Sequence, residues 1–324
     1  MRYAQPCEVR PAAEPALAIV GPTGVGKTAV AVELARAWPI EAVSMDSRQV
    51  YRRMDIGTGK PTPAERRLLP HHLVDVVEPS EPYDAARFAR DAREAIAQIR
   101  DRARWPVLVG GTGLYFRALV RGLSALPAAD PILRGRLRQE AAARGPAALH
   151  ARLQTLDPAT AARLHPQDVV RVIRAIEIVV LSGRPVSVAR TQPRATRPAA
   201  DRVLAVGLTM PREALYRRLD RRVDRMVAAG LVHEVADLLA AGYGPDLPSM
   251  QGIGYRHLAA VVAGTVSLDQ AVRAMKRDTR RYAKRQWTWF AREEIAEWVT
   301  VDPDDVASGV ESVKKILERT RLFG

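Results

Sequence analysis

Short apolar runs alternate with amphipathic stretches along the first third of the chain. The segments "ALAIV" (16–20), "EAVSM" (41–45), "HLVDVV" (72–77) and "PVLVGG" (106–111) read as buried strands bounded by turn residues. Between them, apolar residues at helical spacing predict a helix from about Gly26 to Ala37 and another over about 84–103. Strands that alternate with helices predict a parallel sheet covered by crossover helices, an α/β fold. From about Leu126 to Ala200 the strand pattern stops and amphipathic text takes over, as in "DPILRGRLRQEAAA" and "PQDVVRVIRAIEIVVLSG", the latter closed by Gly183 and Pro185. The expected plan is therefore a core in two parts, 1–125 and 201–324, interrupted by a helical insertion over 126–200. Within that plan "ARTQPRATRPAADR" reads as an exposed loop, after which "VLAVGLTM" resumes a strand and helices run on from about Pro211.

Composition narrows the class. The chain has 324 residues, 47% of them apolar, enough for a sizeable core. Its mostly apolar stretches, such as that around Ile176 to Leu181 with Glu177 in it, fall short of a membrane span, and "MRYAQPCEVRPAAEP" lacks the apolar stretch of a signal peptide. A cytoplasmic protein with no membrane partner is expected. The single cysteine, Cys7, excludes a disulfide framework within one chain, and the six histidines show no metal-ligand spacing, so no zinc is expected. The absence of asparagine removes any guanine-reading N-K-x-D motif. A net charge of +14 and a pI near 10.5 suit a polyanionic partner, or reflect a generally arginine-rich composition.

Local clustering decides between those two. From Arg273 to Arg285 seven basic residues face the single acid Asp278, a local balance of +6. Positions 273, 277, 280, 281 and 284 recur at helical spacing, a stripe able to follow a phosphate backbone. Trp287, Trp289 and Phe290 follow it, either as core or as stacking surfaces for bases.

The candidate chemistry starts at "GPTGVGKT" (21–28), which matches G-x-x-x-x-G-K-[ST] between a strand and a helix. In such a loop the backbone N–H groups of residues 24 to 28 and the helix dipole cradle a pyrophosphate. Lys27 adds a point charge, and Thr28 adds a hydroxyl for magnesium. Loops of this kind usually serve ATP or GTP. A kinase or ATPase of this class also needs an apolar strand ending in a magnesium-directing Asp, yet the second candidate strand runs into "VLVGGTG". The strand "EAVSM" ends instead in Asp46 and Ser47, and a carboxylate there faces the ligand crevice of an open sheet. Asp46 is thus placed to direct magnesium or to take a proton.

The segments "GPTGVGKT", "SMDSRQVYRRMDIGTGKP", "VLVGGTGLYFRAL", "LPAADPILR", "HPQDVVRVIRAIEI", "GIGYR" and "KRQWTWFAR", in this order over about residues 16 to 292, resemble the bacterial tRNA dimethylallyltransferases. The resemblance implies a P-loop NTPase-like core with a helical insertion domain that contacts tRNA. It also implies transfer of a dimethylallyl group from dimethylallyl diphosphate to the exocyclic amine of the adenosine next to the anticodon, with Mg2+ as cofactor. No phosphoryl group moves in that reaction, which accounts for the missing ATPase carboxylate.

Carried over residue by residue, the resemblance makes Asp46 the general base and Thr112 a hydrogen-bonding partner of the reacting base. Thr112 also stands where a helix N-cap would. Gly21, Pro22, Thr23, Gly24, Val25, Gly26, Lys27 and Thr28 would hold the diphosphate, with Thr28 toward magnesium. Arg222 is the arginine of "YRRLDRRVDRM" assigned to the same anion, among Arg217, Arg218, Arg221 and Arg225. The implied tRNA surface comprises Asp46, Ser47, Arg48, Gln49, Thr112, Arg134, Val170, Arg171, Val172, Ile173, Arg174, Gln251, Gly252, Ile253, Gly254, Tyr255, Arg256, Lys284, Arg285, Gln286, Trp287, Thr288 and Trp289. A monomer acting on the tRNA anticodon stem-loop is expected. Two rivals stay open at this level: a small-molecule kinase, which leaves "GGTG" and the basic stripe unexplained, and a nucleotide-gated RNA-binding protein, which lacks visible switch elements.

Overall fold

The computed structural model describes residues 15–124, 126–189 and 203–322. Cys7 with the leader, most of the Pro- and Arg-rich segment, and the boundary positions 125 and 200 lie outside the described residues. The first part of the core alternates β1 (Ala16–Val20), α1 (Lys27–Leu34), β2 (Ile40–Met45), α2 (Pro63–Leu68), β3 (His71–His72), α3 (Ala85–Asp101), β4 (Trp105–Gly110) and α4 (Gly113–Arg121). Helices α5 (Pro131–Arg144), α6 (Pro146–Leu156), α7 (Pro158–Ala161), α8 (Val169–Ser182) and α9 (Val186–Ala189) follow. The chain then resumes with β5 (Val203–Thr209), α10 (Arg212–Ala228), α11 (Leu231–Ala240), α12 (Tyr255–Val262), α13 (Leu268–Phe290), β6 (Glu297–Thr300) and α14 (Val306–Thr320).

The sheet has six strands in the order β3-β2-β4-β1-β5-β6, and every pairing is parallel. Strand β1 is buried along its whole length, as a central strand covered on both faces must be. Its side chains Leu17 and Ile19 join Val30 and Leu34 of α1, Leu215 of α10 and Val313 of α14 in one core. All strands point one way, so all their carboxyl ends, including those before Gly21, Asp46 and Gly111, open on one edge of the sheet.

Two pattern-based expectations differ in detail. The run 72–77 forms only the two-residue β3, with an isolated bridge from Val77 to Tyr51, because Leu73 and Asp75 take positive φ (61° and 59°) that a strand cannot contain. The last strand, "EWVT", is too short to stand out by alternation. It is held by pairing with β5 and by Trp298 packed over Gly207, where a β-carbon would fall 2.6 Å from the indole.

The described chain divides into two compact units, Met1–Val120 with Pro198–Gly324, and Arg121–Arg197, against the expected insertion at 126–200. The helical unit has its own core, in which Leu137, Leu149, Leu153, Val172, Ile173 and Ile176 meet. Glu177 lies at its polar centre. Its buried carboxylate accepts from Arg134 (2.7 Å), Arg174 (2.8 Å) and the Asp130 N–H (2.9 Å). Burial disfavours the ionised Glu177, but the arginine and backbone hydrogen bonds outweigh it and lower its pKa. Replacing Glu177 by Ala strands these donors and is expected to cost about 2–3 kcal/mol, measured by chemical denaturation of the full chain. That stabilisation is complete above the ordinary glutamate value of 4.5 and is lost as the pH falls below it. A loss at neutral pH below about 0.5 kcal/mol would show the cluster to be ornamental.

Candidate active site

The loop between β1 and α1 is shaped by glycines. Gly24 and Gly26 hold φ of 81° and 105°, and Gly26 is the N-cap of α1, so the first helical N–H groups face the cleft. Lys27 folds back over this loop, its Nζ donating to the carbonyls of Gly21 (3.0 Å) and Pro22 (2.9 Å). Burial lowers its pKa to about 8, with the Arg222 charge adding to the effect and the Asp46 charge opposing it.

Asp46 stands one residue beyond β2. One carboxylate oxygen accepts the Arg48 N–H (2.8 Å), a tight local turn that fixes the side chain at the sheet edge. The neighbouring Ser47 N–H donates to Thr112 Oγ1 (3.1 Å). Thr112 is the residue before α4 and its carbonyl accepts from Tyr115 and Phe116, but its hydroxyl is directed across the sheet edge instead of capping the helix. Tyr282 of α13 shares a hydrogen bond with Thr112, and burial raises its pKa to about 12, so it is a neutral phenol. The magnesium-directing Asp of a kinase has no room in β4. A β-carbon on Gly110 would fall 2.1 Å from the Met45 carbonyl oxygen, so only glycine lets β2 and β4 end this close together.

Of the five candidate arginines, Arg217, Arg221 and Arg225 are exposed on α10 and Arg218 donates to the Pro303 carbonyl (3.2 Å). Arg222 is half-buried, and this burial lowers its pKa, with the Asp46 charge working the other way. Among the described residues no carboxylate ion-pairs with it.

Two cavities meet at these residues. The first, of about 490 Å³, is lined by the loop residues Thr23, Gly24, Gly26, Lys27 and Thr28 and by Arg218, Arg222 and Arg225. The second, of about 250 Å³, is lined by Ser47, Arg48, Gln251, Gly252, Ile253, Tyr255, Arg256, Tyr282 and Arg285. Thr23, Asp46, Thr58, Arg222 and Met226 belong to both walls. Among the described residues no cluster of three carboxylate, histidine or cysteine side chains could hold a metal ion. A magnesium ion at this site would be carried largely by diphosphate oxygens and water, with the Thr28 hydroxyl as the side chain placed to reach it.

The remaining expected RNA-facing residues divide sharply. Val170 (80% exposed), Arg171, Gln251, Lys284, Arg285 and Thr288 are open to solvent, and Ile253, Trp287 and Trp289 are half-buried. Val172 and Ile173 are core residues of the helical unit, and Arg134 and Arg174 are committed to Glu177. Gly252 and Gly254 are buried, and Tyr255 is buried with its hydroxyl on Glu234 (2.6 Å). Gln49 is taken up by Ser44 (2.9 Å) and the Gly59 carbonyl (3.1 Å).

Gln286 is a correction of substance, since its amide does not face out at all. It accepts the Thr23 N–H (2.8 Å) and donates to the Gly111 carbonyl (2.8 Å), tying the phosphate loop to the "GGTG" turn. The basic stripe is thinner than its composition suggests. Lys276 pairs with Asp224 (2.7 Å), Arg280 with Asp220 (2.6 Å), and Arg256, Arg277 and Arg281 surround Asp278, which leaves Arg273, Lys284 and Arg285 without an acidic partner among the described residues. Tyr282 was not singled out in the sequence, although its spacing of four from Gln286 places both on one face of α13.

A phosphate-cradling loop on an all-parallel sheet, with its crevice continuing into a second cavity rimmed by Arg48, Arg256 and Arg285, defines a phosphate-loop α/β protein built for two ligands. The IPP transferase family model matches residues 49–293 and the isopentenyl transferase model residues 15–71, and the chain belongs to the IPP transferase family. It is 50% identical over 284 residues to a tRNA dimethylallyltransferase of Syntrophobacter fumaroxidans, covering 88% of this chain and 83% of that one. It is also 50% identical over 289 residues to one of Thermomicrobium roseum, covering 89% and 87%. The structure resembles the tRNA isopentenylpyrophosphate transferase of Bacillus halodurans (TM-score 0.64, 40% identity, 94% and 99% covered). It also resembles a eukaryotic dimethylallyltransferase solved acting on tRNA (TM-score 0.75, 28% identity, 94% and 78% covered).

The Gln286 bridge yields a prediction. Gln286→Leu keeps the volume but leaves the Thr23 N–H and the Gly111 carbonyl without their partner. It should lower stability by about 2–4 kcal/mol in thermal denaturation. Because the phosphate loop loses a strut, inorganic diphosphate should also bind more weakly by calorimetry; unchanged stability and unchanged affinity would assign the bridge no role.

Proposed function

We propose that the protein transfers the dimethylallyl group of dimethylallyl diphosphate to the exocyclic amine of the adenosine 3′-adjacent to the anticodon of tRNA, releasing diphosphate. The observation that carries this reading is the shared wall of the two cavities. An anion cradle and an arginine-rimmed second chamber meet at Asp46 and Arg222. The diphosphate belongs in the first chamber and the adenine, turned out of its loop, in the second, where unstacking a loop nucleotide costs only a few kcal/mol.

In this reaction the allylic carbon–oxygen bond breaks as the amine nitrogen attacks, and negative charge grows on the departing diphosphate. The loop N–H groups and Arg222 line the cradle before the reaction starts, and Lys27 exchanges its two loop carbonyls for that charge. Asp46 takes the proton that the amine loses. Thr112, set by the Ser47 N–H and by Tyr282, orients the base. Magnesium, held through Thr28 and the diphosphate, would supply further neutralisation of the leaving group. Lys284 and Arg285 offer phosphate contacts to the RNA backbone. The reading takes the protein as a cytoplasmic monomer; no helix among the described residues is long and apolar enough to cross a membrane.

Incubation with magnesium, unmodified tRNA and either labelled dimethylallyl diphosphate or labelled ATP tests the reading. Label should enter tRNA from the first donor alone, whereas ATP cleavage with RNA left unmodified would overturn it. Asp46→Asn should retain tRNA binding and lower turnover by about 10²- to 10⁴-fold, and wild-type turnover would remove Asp46 from the base role.

A second prediction concerns pH. Lys27 sits at about 8, and an ionised diphosphate favours its charged form, so binding above pH 8 takes up a proton. Affinity for dimethylallyl diphosphate should be level just below pH 8 and fall about tenfold per pH unit above it. Calorimetry in buffers of different protonation enthalpy reads both effects; a flat profile to pH 10 would mean that Lys27 is charged throughout.

A further inference from the structure

Glu234, on the first turn of α11, accepts four hydrogen bonds. One carboxylate oxygen accepts the N–H groups of Asp55 (2.9 Å) and Ile56 (2.7 Å), and the other accepts the Gly57 N–H (3.1 Å) and the Tyr255 hydroxyl (2.6 Å). Four donors on one carboxylate hold a loop far more rigidly than turn propensity could, because each bond is charge-assisted. The loop so held is "DIGTG", residues 55–59. Ile56, Thr58 and Gly59 line the first cavity, and Gly57 and Thr58 line the second. Thr58 is fixed in turn by its hydroxyl on the Met54 carbonyl (2.6 Å), and the Gly59 carbonyl by Gln49 (3.1 Å).

Gly59 lies directly beneath Arg222. A β-carbon there would fall 2.0 Å from a terminal guanidinium nitrogen, and the backbone φ of 58° already favours glycine. No acidic side chain among the described residues ion-pairs with Arg222, and the surface its guanidinium rests on is Gly59. That surface belongs to the loop which Glu234 clamps. Gly57 shows how closely the parts fit, since a β-carbon on it would fall 2.6 Å from the Tyr255 ring.

We infer that Glu234 is a positioning residue for the proposed prenyl transfer: it clamps loop 55–59 through three backbone N–H groups and Tyr255, and through Gly59 it sets the Arg222 guanidinium against the diphosphate. The inference rests on the reading above, in which Arg222 meets the leaving group. It accounts for a glutamate that touches neither cavity's ligand zone, yet receives three consecutive backbone donors from the strip of chain dividing the two.

The test measures initial rates of label transfer from dimethylallyl diphosphate to tRNA. Wild-type transfer, established first, separates failure of the function from failure of this inference. Glu234→Gln exchanges an acceptor for a donor facing N–H groups and should lower kcat/KM for dimethylallyl diphosphate by about 10–100-fold, with tRNA affinity within about twofold of wild type. In an Arg222→Lys background the same substitution should add little, because both act through one guanidinium. Gly57→Ala displaces the loop from Tyr255 without replacing Glu234 and should reproduce the loss of kcat/KM; it decides the matter if Glu234→Gln fails to fold. A kcat/KM for dimethylallyl diphosphate unchanged in the folded variants, tRNA affinity lost in parallel, or full additivity with Arg222→Lys would overturn the inference.

Discussion

The site depends on keeping positive charge partly out of water without neutralising it. Lys27 and Arg222 both have lowered pKa values because burial disfavours their charged forms, and Asp46, the acid nearest in effect, is itself engaged by the Arg48 N–H. A fully formed ion pair would satisfy these cations and weaken their pull on a ligand. Instead Lys27 rests on two loop carbonyls, weak acceptors that an anion readily outcompetes, and Arg222 lies over a glycine. The folding cost of this arrangement is recovered when a diphosphate enters, which makes anion affinity and stored electrostatic strain two sides of one design.

Close backbone approach makes the arrangement compact enough to work. Gly110 lets β2 and β4 end in contact, Gly111 accommodates the Gln286 amide, where a β-carbon would fall 2.2 Å from its nitrogen, and Gly113 lies against the Trp289 ring at 2.1 Å by the same measure. The "GGTG" turn is thus the seat on which α13 rests. One helix thereby carries Gln286 to the phosphate loop, Tyr282 to Thr112, and Lys284 and Arg285 outward. The ladder of α13 makes these placements interdependent: rotating the helix to expose Gln286 would withdraw Tyr282 from the second cavity.

Legibility in the sequence followed the range of the interactions. The phosphate loop, the alternating strands and helices, and Asp46 at a strand end are local patterns, and the α/β core could be read from them. The resemblance carried further, naming Thr112 and Arg222, but named whole segments where single residues matter. In "VRVIR" only Val170 and Arg171 are exposed, since helical periodicity sends Val172 and Ile173 into the core and a buried Glu177 captures Arg174. The stripe on α13 looked uniformly basic because its counter-charges, Asp220 and Asp224, lie on α10 more than fifty residues earlier. Glu234 was invisible for the same reason: three of its four partners are backbone N–H groups 177 to 179 residues away along the chain, which leave no trace in residue identity.

A phosphate loop commonly serves enzymes that move the phosphoryl group, and here the neighbouring geometry points its use elsewhere. In phosphoryl transfer the reacting atom is phosphorus, so the acceptor must approach the cradle itself and a strand-end carboxylate must direct the metal beside it. In this protein glycine fills that strand end and the carboxylate is displaced to the next strand, at the mouth of a second chamber. A nucleophile held there meets a group projecting from the diphosphate rather than the diphosphate itself. Bond cleavage at carbon leaves the whole diphosphate as the leaving anion, and an anion that departs intact is best stabilised by a cradle enclosing all of it. In the proposed reaction the same loop that activates phosphorus in other proteins would, with one carboxylate moved by one strand, stabilise a departing diphosphate.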